Sequence, residues 1–171
     1  QHFLRAPGIL RRIAAAVGAG PGDTVLEIGP GPGGLTAALA ATGARVIAIE
    51  KDAELVPALR VRFPDVTIVE GDALDLDWHQ VVAGPVIIAG NIPYNITSPL
   101  IDKALAEPLP LRVVFLVQRE VADRVAAAPA TSAYGALTVG VQAVARVERL
   151  FGVPAVAFSP VPKVESAVSR L

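Results

Sequence analysis

Short apolar runs and amphipathic stretches alternate along the 171 residues of the chain. Each apolar run is short and almost free of polar residues, a pattern typical of strands that are buried on both faces of a sheet. Turn-forming residues separate these runs from the segments that follow them. The pattern predicts strands at residues 24–28, 45–49, 66–69, 86–89 and 113–117.

Apolar positions between these strands recur with helical spacing. They predict helices at residues 7–17, 34–41, 53–62, 98–106, 120–127 and 136–145, with Pro99 at the first position of its helix. Segments 147–153 and 164–171 predict an antiparallel closing pair of strands. Alternation of strand and helix with short links predicts an α/β fold with a doubly wound, mostly parallel sheet. Such sheets bind ligands beyond the carboxyl ends of their strands, where the strand order reverses.

Composition adds limits to this picture. The chain is 53% hydrophobic with mean hydropathy +0.53, but charges, Pro or Gly interrupt each apolar run before the ~20 residues of a membrane helix. A large buried core therefore explains the hydropathy. The absence of cysteine excludes disulfides, cysteine-ligated zinc and thiol catalysis. We predict no metal site, and because the N-terminus shows no secretory signal we expect a cytoplasmic protein.

The charge distribution bears on a nucleic-acid partner. The net charge of −1 argues weakly against one. However, residues 112–171 contain 7 Lys or Arg against 4 Asp or Glu, whereas residues 1–111 contain 8 against 12. A phosphate backbone can dock on the basic last third of the chain, although a scattered, solvated surface explains the same counts.

A glycine-rich turn lies between the first predicted strand and the helix that follows it. Gly29, Gly31 and Gly34 satisfy the spacing G-x-G-x-x-G. Glycine at these positions lets a nucleotide cofactor approach the backbone closely. A tight turn without a ligand and a nicotinamide-binding turn both remain open as alternatives.

Two acidic residues follow the next strands. Glu50 ends the second predicted strand, where a carboxylate can accept both ribose hydroxyls of a nucleoside. Asp72 follows the third, where it can accept a hydrogen bond from the amino group of a cofactor adenine, with Ala73 near the ring. An exposed charge at a strand end and an aspartate in a turn are the alternatives for these two residues.

The segment Asn91 to Tyr94 (NIPY) follows the fourth predicted strand, and its residues favour a reaction at the amino nitrogen of an adenine. An adenine amino nitrogen is a poor nucleophile, and two acceptors on its N–H groups would localise its lone pair. The Asn91 side-chain oxygen and a main-chain carbonyl at Ile92 or Pro93 can supply them, and Pro93 stiffens the turn that aims them. Tyr94 offers a face for stacking of the base. A turn before a helix that starts with proline is the alternative.

The segment GNIPYNITSP resembles the motif of the ribosomal RNA adenine N6,N6-dimethyltransferases, the KsgA/Dim group and its Erm relatives. DNA adenine methyltransferases carry a Pro-Pro-Tyr version, and this sequence has Ile92 at the position of the first of those prolines. QHFL, EIGPGPGGLT, IEKD, GDAL, QREVADR, AYGALTV and FSPVPKVESAV resemble further blocks of the family in order. The resemblance implies a Rossmann-like class I methyltransferase fold, S-adenosylmethionine as cofactor and dimethylation of N6 of adenines in small-subunit ribosomal RNA.

The resemblance also implies site residues. His2 stands where the family usually has Asn, and an imidazole can still form a hydrogen bond. The residues expected against the cofactor are His2, Leu4, Gly29, Gly31, Glu50, Asp72 and Asn91.

On the substrate side, the target adenine is expected between Tyr94 and Phe158, with core packing as the alternative for Phe158. The candidates for contacts with RNA phosphates are Arg119, Arg124 and Lys163, for which solvated surface is the alternative. Trp78 and His79 are assigned a structural role, because the sequence shows no metal or triad partner for them.

The resemblance further implies that the chain is a catalytic domain without the family's small C-terminal helical domain. The start at Gln1 and the stop at Leu171, directly after a strand-like run, also lead us to expect part of a longer protein. The expected partner is ribosomal RNA in the immature small subunit, bound by a monomer with no membrane association. A non-catalytic RNA or ribosome-assembly factor is one alternative. A nicotinamide oxidoreductase is another, although no hydride-handling residue lies near the fourth and fifth strands.

Overall fold

Nine strands and seven α-helices make up the computed structural model, which describes all residues from 1 to 171. The strands are β1 (Phe3–Leu4), β2 (Thr24–Ile28), β3 (Arg45–Glu50), β4 (Thr67–Glu70), β5 (Ile87–Asn91), β6 (Arg112–Gln118), β7 (Glu148–Val153), β8 (Phe158–Ser159) and β9 (Ser166–Arg170). The helices are α1 (Pro7–Val17), α2 (Gly34–Ala40), α3 (Val56–Arg62), α4 (Trp78–Val81), α5 (Thr97–Ala104), α6 (Arg119–Val125) and α7 (Ala136–Gln142). No helix is both long and apolar enough to cross a membrane.

Seven of the strands form one sheet in the order β4-β3-β2-β5-β6-β9-β7. The pairs among β2 to β6 are parallel, and β9 runs antiparallel to both of its neighbours. Strands β2, β3 and β4 follow one another toward one edge of the sheet, and β5 lies on the opposite side of β2. The strand order therefore reverses between β2 and β5, and a crevice opens beyond their carboxyl ends. This confirms the predicted α/β class, the mostly parallel sheet and the antiparallel closing strands.

Two apolar clusters, one on each face of the sheet, form the core. Successive residues of β2 alternate between them, with Val25 in the first and Leu26 and Ile28 in the second. Helices α1 and α2 pack on the first face, and α5 covers the second. Burial on both faces explains why the central strands are continuous apolar runs in the sequence.

Several predicted boundaries are wrong at helix ends. Residues 53–55 form a turn, so α3 begins at Val56 rather than at residue 53. Helix α5 begins at Thr97, so Pro99 occupies its third position rather than its first. A proline is tolerated there because the N–H groups of the first helical turn have no acceptor within the helix.

A short helix that the sequence pattern did not predict lies between β4 and β5. Helix α4 spans four residues, too few for a recognisable periodicity, and Asp77 caps it by accepting the His79 N–H at 3.0 Å. The Trp78 ring is buried and its Nε1–H donates to the Ala73 carbonyl at 2.8 Å. This confirms the structural role assigned to Trp78.

The first residues of the chain form an unpredicted second sheet. In this sheet β1 pairs with β8, joining Phe3 to Ser159 and Leu4 to Phe158. Each strand has two residues, too short for an alternating pattern to be visible. The pairing lays the N-terminal segment over the carboxyl edge of the main sheet, where the glycine turn also lies.

Candidate active site

The crevice at the switch point brings candidate residues for the cofactor and for the target base together. A cavity of about 440 Å³ runs from Lys51, just beyond β3, past Asn91 to Tyr94, and Gln1 and His2 cover it. A smaller cavity beside Gly29 shares Gln1 and Asn91 with it. Residues that are distant in sequence therefore meet at one edge, because parallel neighbouring strands end there together.

The glycine turn is shaped by backbone conformations that glycine adopts without strain. Gly29 and Gly31 have φ angles of 68° and 56°. A Cβ on Gly29 would meet only the Asn91 carbonyl, 4.0 Å away, so its backbone stays open to the crevice. A Cβ on Gly31 would lie 2.8 Å from the Phe3 ring. The space beside Gly31 is therefore filled by the N-terminal segment of the same chain.

Glu50 is held by the backbone on both sides. Its Oε1 accepts the Gly31 N–H at 2.9 Å, and its Oε2 accepts the Asp52 N–H at 3.0 Å. The residue is 5% exposed, so the alternative of an exposed charge at a strand end is wrong. Each oxygen keeps a lone pair for a further donor, and the carboxylate is fixed before any ligand arrives.

Asp72 accepts a hydrogen bond within its own turn and pairs with a lysine. Its Oδ1 accepts the Leu74 N–H at 2.9 Å, and its Oδ2 lies 3.2 Å from Lys51 Nζ. The Leu74 N–H and then Lys51 hold the pKa of Asp72 below its usual value. The turn that was the alternative for Asp72 therefore exists, and it presents an ionised acceptor. A contact of Asp72 with a cofactor stays a prediction.

Asn91 ends β5 with its amide oriented by the N-terminal segment. Its Nδ2 donates to the His2 carbonyl at 3.3 Å, and its Oδ1 has no hydrogen-bond partner. The Pro93 carbonyl accepts from Thr97 Oγ1 at 3.2 Å and from the Ile96 N–H at 3.3 Å. The Ile92 carbonyl accepts no hydrogen bond. Of the two main-chain carbonyls that the sequence left open, the one at Ile92 is the free acceptor.

Tyr94 is held by contacts on its hydroxyl and on its ring. Its Oη lies 3.0 Å from Ser166 Oγ, at the start of β9. The His2 ring stacks against it with centroids 5.8 Å apart and an interplanar angle of 27°. The His2 Nδ1–H donates to the Pro160 carbonyl at 2.7 Å, which fixes the imidazole. Sequence reasoning missed Ser166, because a lone serine carries no signal before its partner is known.

Phe158 lies in the core rather than on the cavity. It is 3% exposed and belongs to the same apolar cluster as Leu4, which is 9% exposed. The two residues face each other across the β1–β8 pair. This burial favours core packing, the alternative that the sequence left open for Phe158. Contact between its ring and a base would need the ring to leave this cluster and stays a prediction.

The three basic candidates for RNA contacts differ in their surroundings. Arg124 lies 2.6 Å from Glu120, and Arg119 lies 3.7 Å from Glu165. Lys163 is exposed and forms no ion pair. Exposed ion pairs are weak, so both arginines can exchange partners, and their role toward RNA stays a prediction.

Glu27 is a buried acid to which the sequence assigned no role. It is 1% exposed on β2, and its Oε1 accepts the Thr36 hydroxyl at 2.5 Å. Burial raises the pKa of Glu27 from 4.5 to about 7, and the nearby Glu50 contributes to the rise. A charged residue inside an otherwise apolar strand was the signal available in the sequence. Glu27 lines the smaller cavity beside Gly29.

Replacing Glu27 with Gln is expected to remove a pH-dependent loss of stability. Between pH 4.5 and about 7 the folded chain keeps a proton on Glu27 that the unfolded chain has lost. This contribution is fully present below the unfolded pKa and is lost as the pH rises through about 7. Urea unfolding near pH 5 and near pH 8 should show the wild type losing about 2–3 kcal/mol more than the variant.

A matched control is Glu54→Gln, which removes a carboxylate from an exposed position. This variant should follow the wild-type pH dependence. Equal pH dependence of the wild type and the Glu27→Gln variant would show that Glu27 does not carry the effect.

The model of the family "Ribosomal RNA adenine dimethylase" matches residues 1–171. The chain belongs to this family. Ribosomal RNA small subunit methyltransferase A from Phenylobacterium zucineum (strain HLK1) is 50% identical over 176 residues, covering 100% of this chain and 62% of that protein. The crystal structure of a dimethyladenosine transferase from Plasmodium falciparum matches with TM-score 0.90 and 34% identity, covering 99% of this chain and 62% of that one. The structure of the 23S rRNA methyltransferase ErmE matches with TM-score 0.85 and 34% identity, covering 98% and 68%.

Membership of the ribosomal RNA adenine dimethylase family confirms the resemblance carried by the sequence motifs. It removes the support for a nicotinamide oxidoreductase, which shared only the glycine turn and the acid after the second central strand. The chain spans 62% to 68% of the length of these relatives. The matched part includes the whole crevice, from Gln1 to Ser166.

Proposed function

We propose that the chain is the catalytic domain of an S-adenosylmethionine-dependent methyltransferase that dimethylates N6 of adenines in small-subunit ribosomal RNA. One observation carries the proposal. Two acceptors without hydrogen-bond partners, Asn91 Oδ1 and the Ile92 carbonyl, lie together at the end of β5 in the cavity that also contains Tyr94. Family membership supports the same reaction class.

The residues around the crevice fit the proposed cofactor. Glu50 offers a buried, preoriented carboxylate of the kind that binds vicinal ribose hydroxyls. Asp72 offers an ionised acceptor beside the next strand end, and the Gly29 backbone is open to close approach. S-adenosylmethionine, when bound there, supplies an electrophilic methyl group on a sulfonium. His2 and Leu4 lie in the N-terminal segment that covers the crevice, and both are proposed cofactor contacts.

The residues at the end of β5 act on the adenine amino group. Asn91 Oδ1 and the Ile92 carbonyl accept its two N–H groups, which localises the nitrogen lone pair and directs it at the methyl group. Pro93 holds the turn, and Tyr94 stacks against the base. No strong general base is needed, because positioning supplies most of the barrier reduction, and the positive charge that passes from the sulfonium to the amino nitrogen is lost when that nitrogen releases a proton to water. The His2 carbonyl orients the Asn91 amide so that its oxygen, rather than its nitrogen, faces the substrate.

Labelled methyl transfer tests the proposal. The full-length protein, labelled S-adenosylmethionine and immature small ribosomal subunits should give label at N6 of particular adenines, located by mapping the modified bases. Calorimetry should separately detect binding of S-adenosylmethionine. Absence of cofactor binding would remove the proposal at its first step. Cofactor and RNA binding without transfer would favour the non-catalytic assembly factor.

The proposal includes a partner and a setting. The proposed partner is ribosomal RNA within the immature small subunit, and the protein binds it as a monomer in the cytoplasm. A separate helical domain contributes to the recognition of this RNA. The basic excess of residues 112–171 supports an RNA partner. Lys163 forms no ion pair and is the proposed phosphate contact, and Arg119 and Arg124 are further proposed contacts with the RNA.

The hydrogen bond between Tyr94 and Ser166 is expected to position the stacking ring. Tyr94→Phe keeps the ring and Ser166→Ala keeps the strand, and each removes the bond of 3.0 Å. Each variant should lower kcat about 2- to 10-fold, the value of one hydrogen bond, with cofactor affinity unchanged. Steady-state methyl transfer should show the double variant no slower than the slower single variant. Fully multiplicative losses would mean that the two hydroxyls act independently, and exposed Ser98→Ala is the control.

A further inference from the structure

A groove that the proposed reaction does not use lies one strand away from the target-base site. It has a volume of about 540 Å³ and opens between α6, the loop at residues 132–133 and the segment at residues 164–165. We call it the α6 groove. The groove is lined by Gln118 at the end of β6, by the side chains of α6, and by Ala133, Val164 and Glu165.

The α6 groove is next to the target-base site through two contacts. Gln118 pairs in register with Ser166, whose hydroxyl contacts the Tyr94 hydroxyl at 3.0 Å. Leu116, two residues before Gln118, pairs with Asn91. Because neighbouring strands lie about 4.8 Å apart and each residue adds about 3.3 Å, the groove begins within about 8 Å of Asn91. A nucleotide adjacent to a base held at Asn91 is therefore within reach of it.

The groove contains both acidic and basic side chains, which limits what it can bind. Arg119 lies 3.7 Å from Glu165 and 3.9 Å from Asp123, and Arg124 lies 2.6 Å from Glu120. Three carboxylates thus stand beside two guanidinium groups. A phosphate would meet repulsion from the carboxylates. A neutral group with donors and acceptors on one edge would find partners for both.

The walls of the groove add apolar surface. Val164 is 46% exposed and Ala133 is partly exposed. Unpaired RNA bases are recognised through their faces and through hydrogen bonds on their edges. A planar heterocycle can pack its face against the apolar wall of the groove. The N–H groups and ring acceptors on its edge can form hydrogen bonds with the carboxylates and the arginines.

We propose that the α6 groove binds an unpaired nucleobase next to the target adenine in the RNA chain. Glu165 and Asp123 accept from the N–H groups of this base, and Arg119 donates to its oxygen or ring nitrogen. The inference rests on the proposed function for the identity of the target adenine, and it assigns Arg119 to a base edge rather than to a phosphate.

Site-specific cross-linking tests the location. The full-length protein with p-benzoylphenylalanine in place of Ala133 is bound to immature small ribosomal subunits and irradiated, and the linked nucleotide is mapped. The expected link is to a nucleotide adjacent to the methylated adenine. A photoreactive residue in place of Val61, which is 83% exposed near the opposite edge of the sheet, is the control and should not give this link. Links only to distant nucleotides or to protein, or no link during active methylation, would overturn the inference.

An isosteric substitution that removes one negative charge tests the recognition. Glu165→Gln should raise the KM for an RNA hairpin containing the target adenine about tenfold, with kcat and cofactor affinity unchanged. Removing the cross-linked base from the hairpin should weaken binding to the wild type by a similar factor and leave the variant unaffected. Independent losses from the two changes would overturn the inference. Glu148→Gln, an exposed acid on β7 outside the groove, is the matched control.

The two hypotheses fail in different ways. If the cross-link and the base-dependent affinity are found without any methyl transfer, the proposed function is wrong and the groove still binds a base. If methyl transfer proceeds with full sensitivity to Asn91 but without dependence on the neighbouring base, the groove inference alone is wrong.

Discussion

Replacing Asn91 with Ala is expected to lower kcat for methyl transfer by about 10²- to 10³-fold, the usual effect of removing one preorganised hydrogen-bond group from a transition state. The substitution removes Oδ1, the side-chain acceptor that has no partner in the structure, and leaves the Ile92 carbonyl in place. The amino nitrogen would then keep its lone pair delocalised into the ring. Single-turnover transfer from labelled S-adenosylmethionine to ribosomal RNA measures the chemical step directly.

Asn91→Asp separates the role of the side chain as a hydrogen-bond acceptor from its orientation by the His2 carbonyl. It keeps an acceptor but cannot donate to the His2 carbonyl, so its rate should fall between those of the wild type and the Ala variant. Removal of an exposed amide at Gln80 is the control and should leave kcat unchanged. A kcat for Asn91→Ala within threefold of wild type would exclude the proposed role of the side chain.

Glu50→Gln is expected to raise the Kd for S-adenosylmethionine about 10- to 100-fold, because hydrogen bonds to a charged group contribute about 1.5–3 kcal/mol. The Glu50 carboxylate is 5% exposed and already accepts two backbone N–H groups, so its orientation costs no further ordering on binding. The amide of the variant keeps one acceptor oxygen and has a donor nitrogen in place of the other oxygen. This donor faces either a backbone N–H or the ribose, so one hydrogen bond is lost in either orientation. Isothermal calorimetry gives the Kd for both proteins.

Thermal unfolding must accompany this measurement, since Glu50 also ties the glycine turn to β3 through the Gly31 N–H. Glu50→Asp provides a second variant that keeps the charge and shortens the reach. Glu54→Gln removes a charge from the exposed surface and should leave the Kd unchanged. A folded Glu50→Gln variant with unchanged affinity would exclude a ribose contact at this carboxylate.

Much of the architecture could be predicted from the sequence because the periodicities are local. Buried parallel strands such as residues 45–49 and 113–117 are continuous apolar runs, and the glycine turn joins a strand to a helix over a few residues. The antiparallel closing strands were predicted as a pair from the two apolar segments at the end of the chain. Helix α4 and the β1–β8 sheet were missed, because two to four residues are too few to show a period.

Some residues of the candidate site could be predicted from the sequence, and others could not. Glu50, Asp72 and Asn91 were predictable, because an acid or an amide directly after a buried strand stands out in the sequence. Ser166 and Glu27 were not assigned, since their partners Tyr94 and Thr36 meet them only after folding. Phe158 was predicted at the target base, but a motif does not specify which way an aromatic side chain faces, and the β1–β8 pair holds it in the core.

The segment NIPY at residues 91–94, the glycine turn and the ordered motifs were enough for the sequence by itself to determine the fold class and the edge of the sheet that carries the site, and to predict the reaction class. The tertiary structure alone decided which carbonyl at this edge is free, since the Pro93 carbonyl is taken by Thr97 and Ile96 and the Ile92 carbonyl is not. It also decided that the N-terminal segment covers the crevice and that a groove with both acidic and basic side chains lies one strand away from the target-base site. The physical reason is that hydrogen-bond saturation and side-chain burial depend on partners distant in the chain, whereas strand, helix and turn preferences are set by near neighbours.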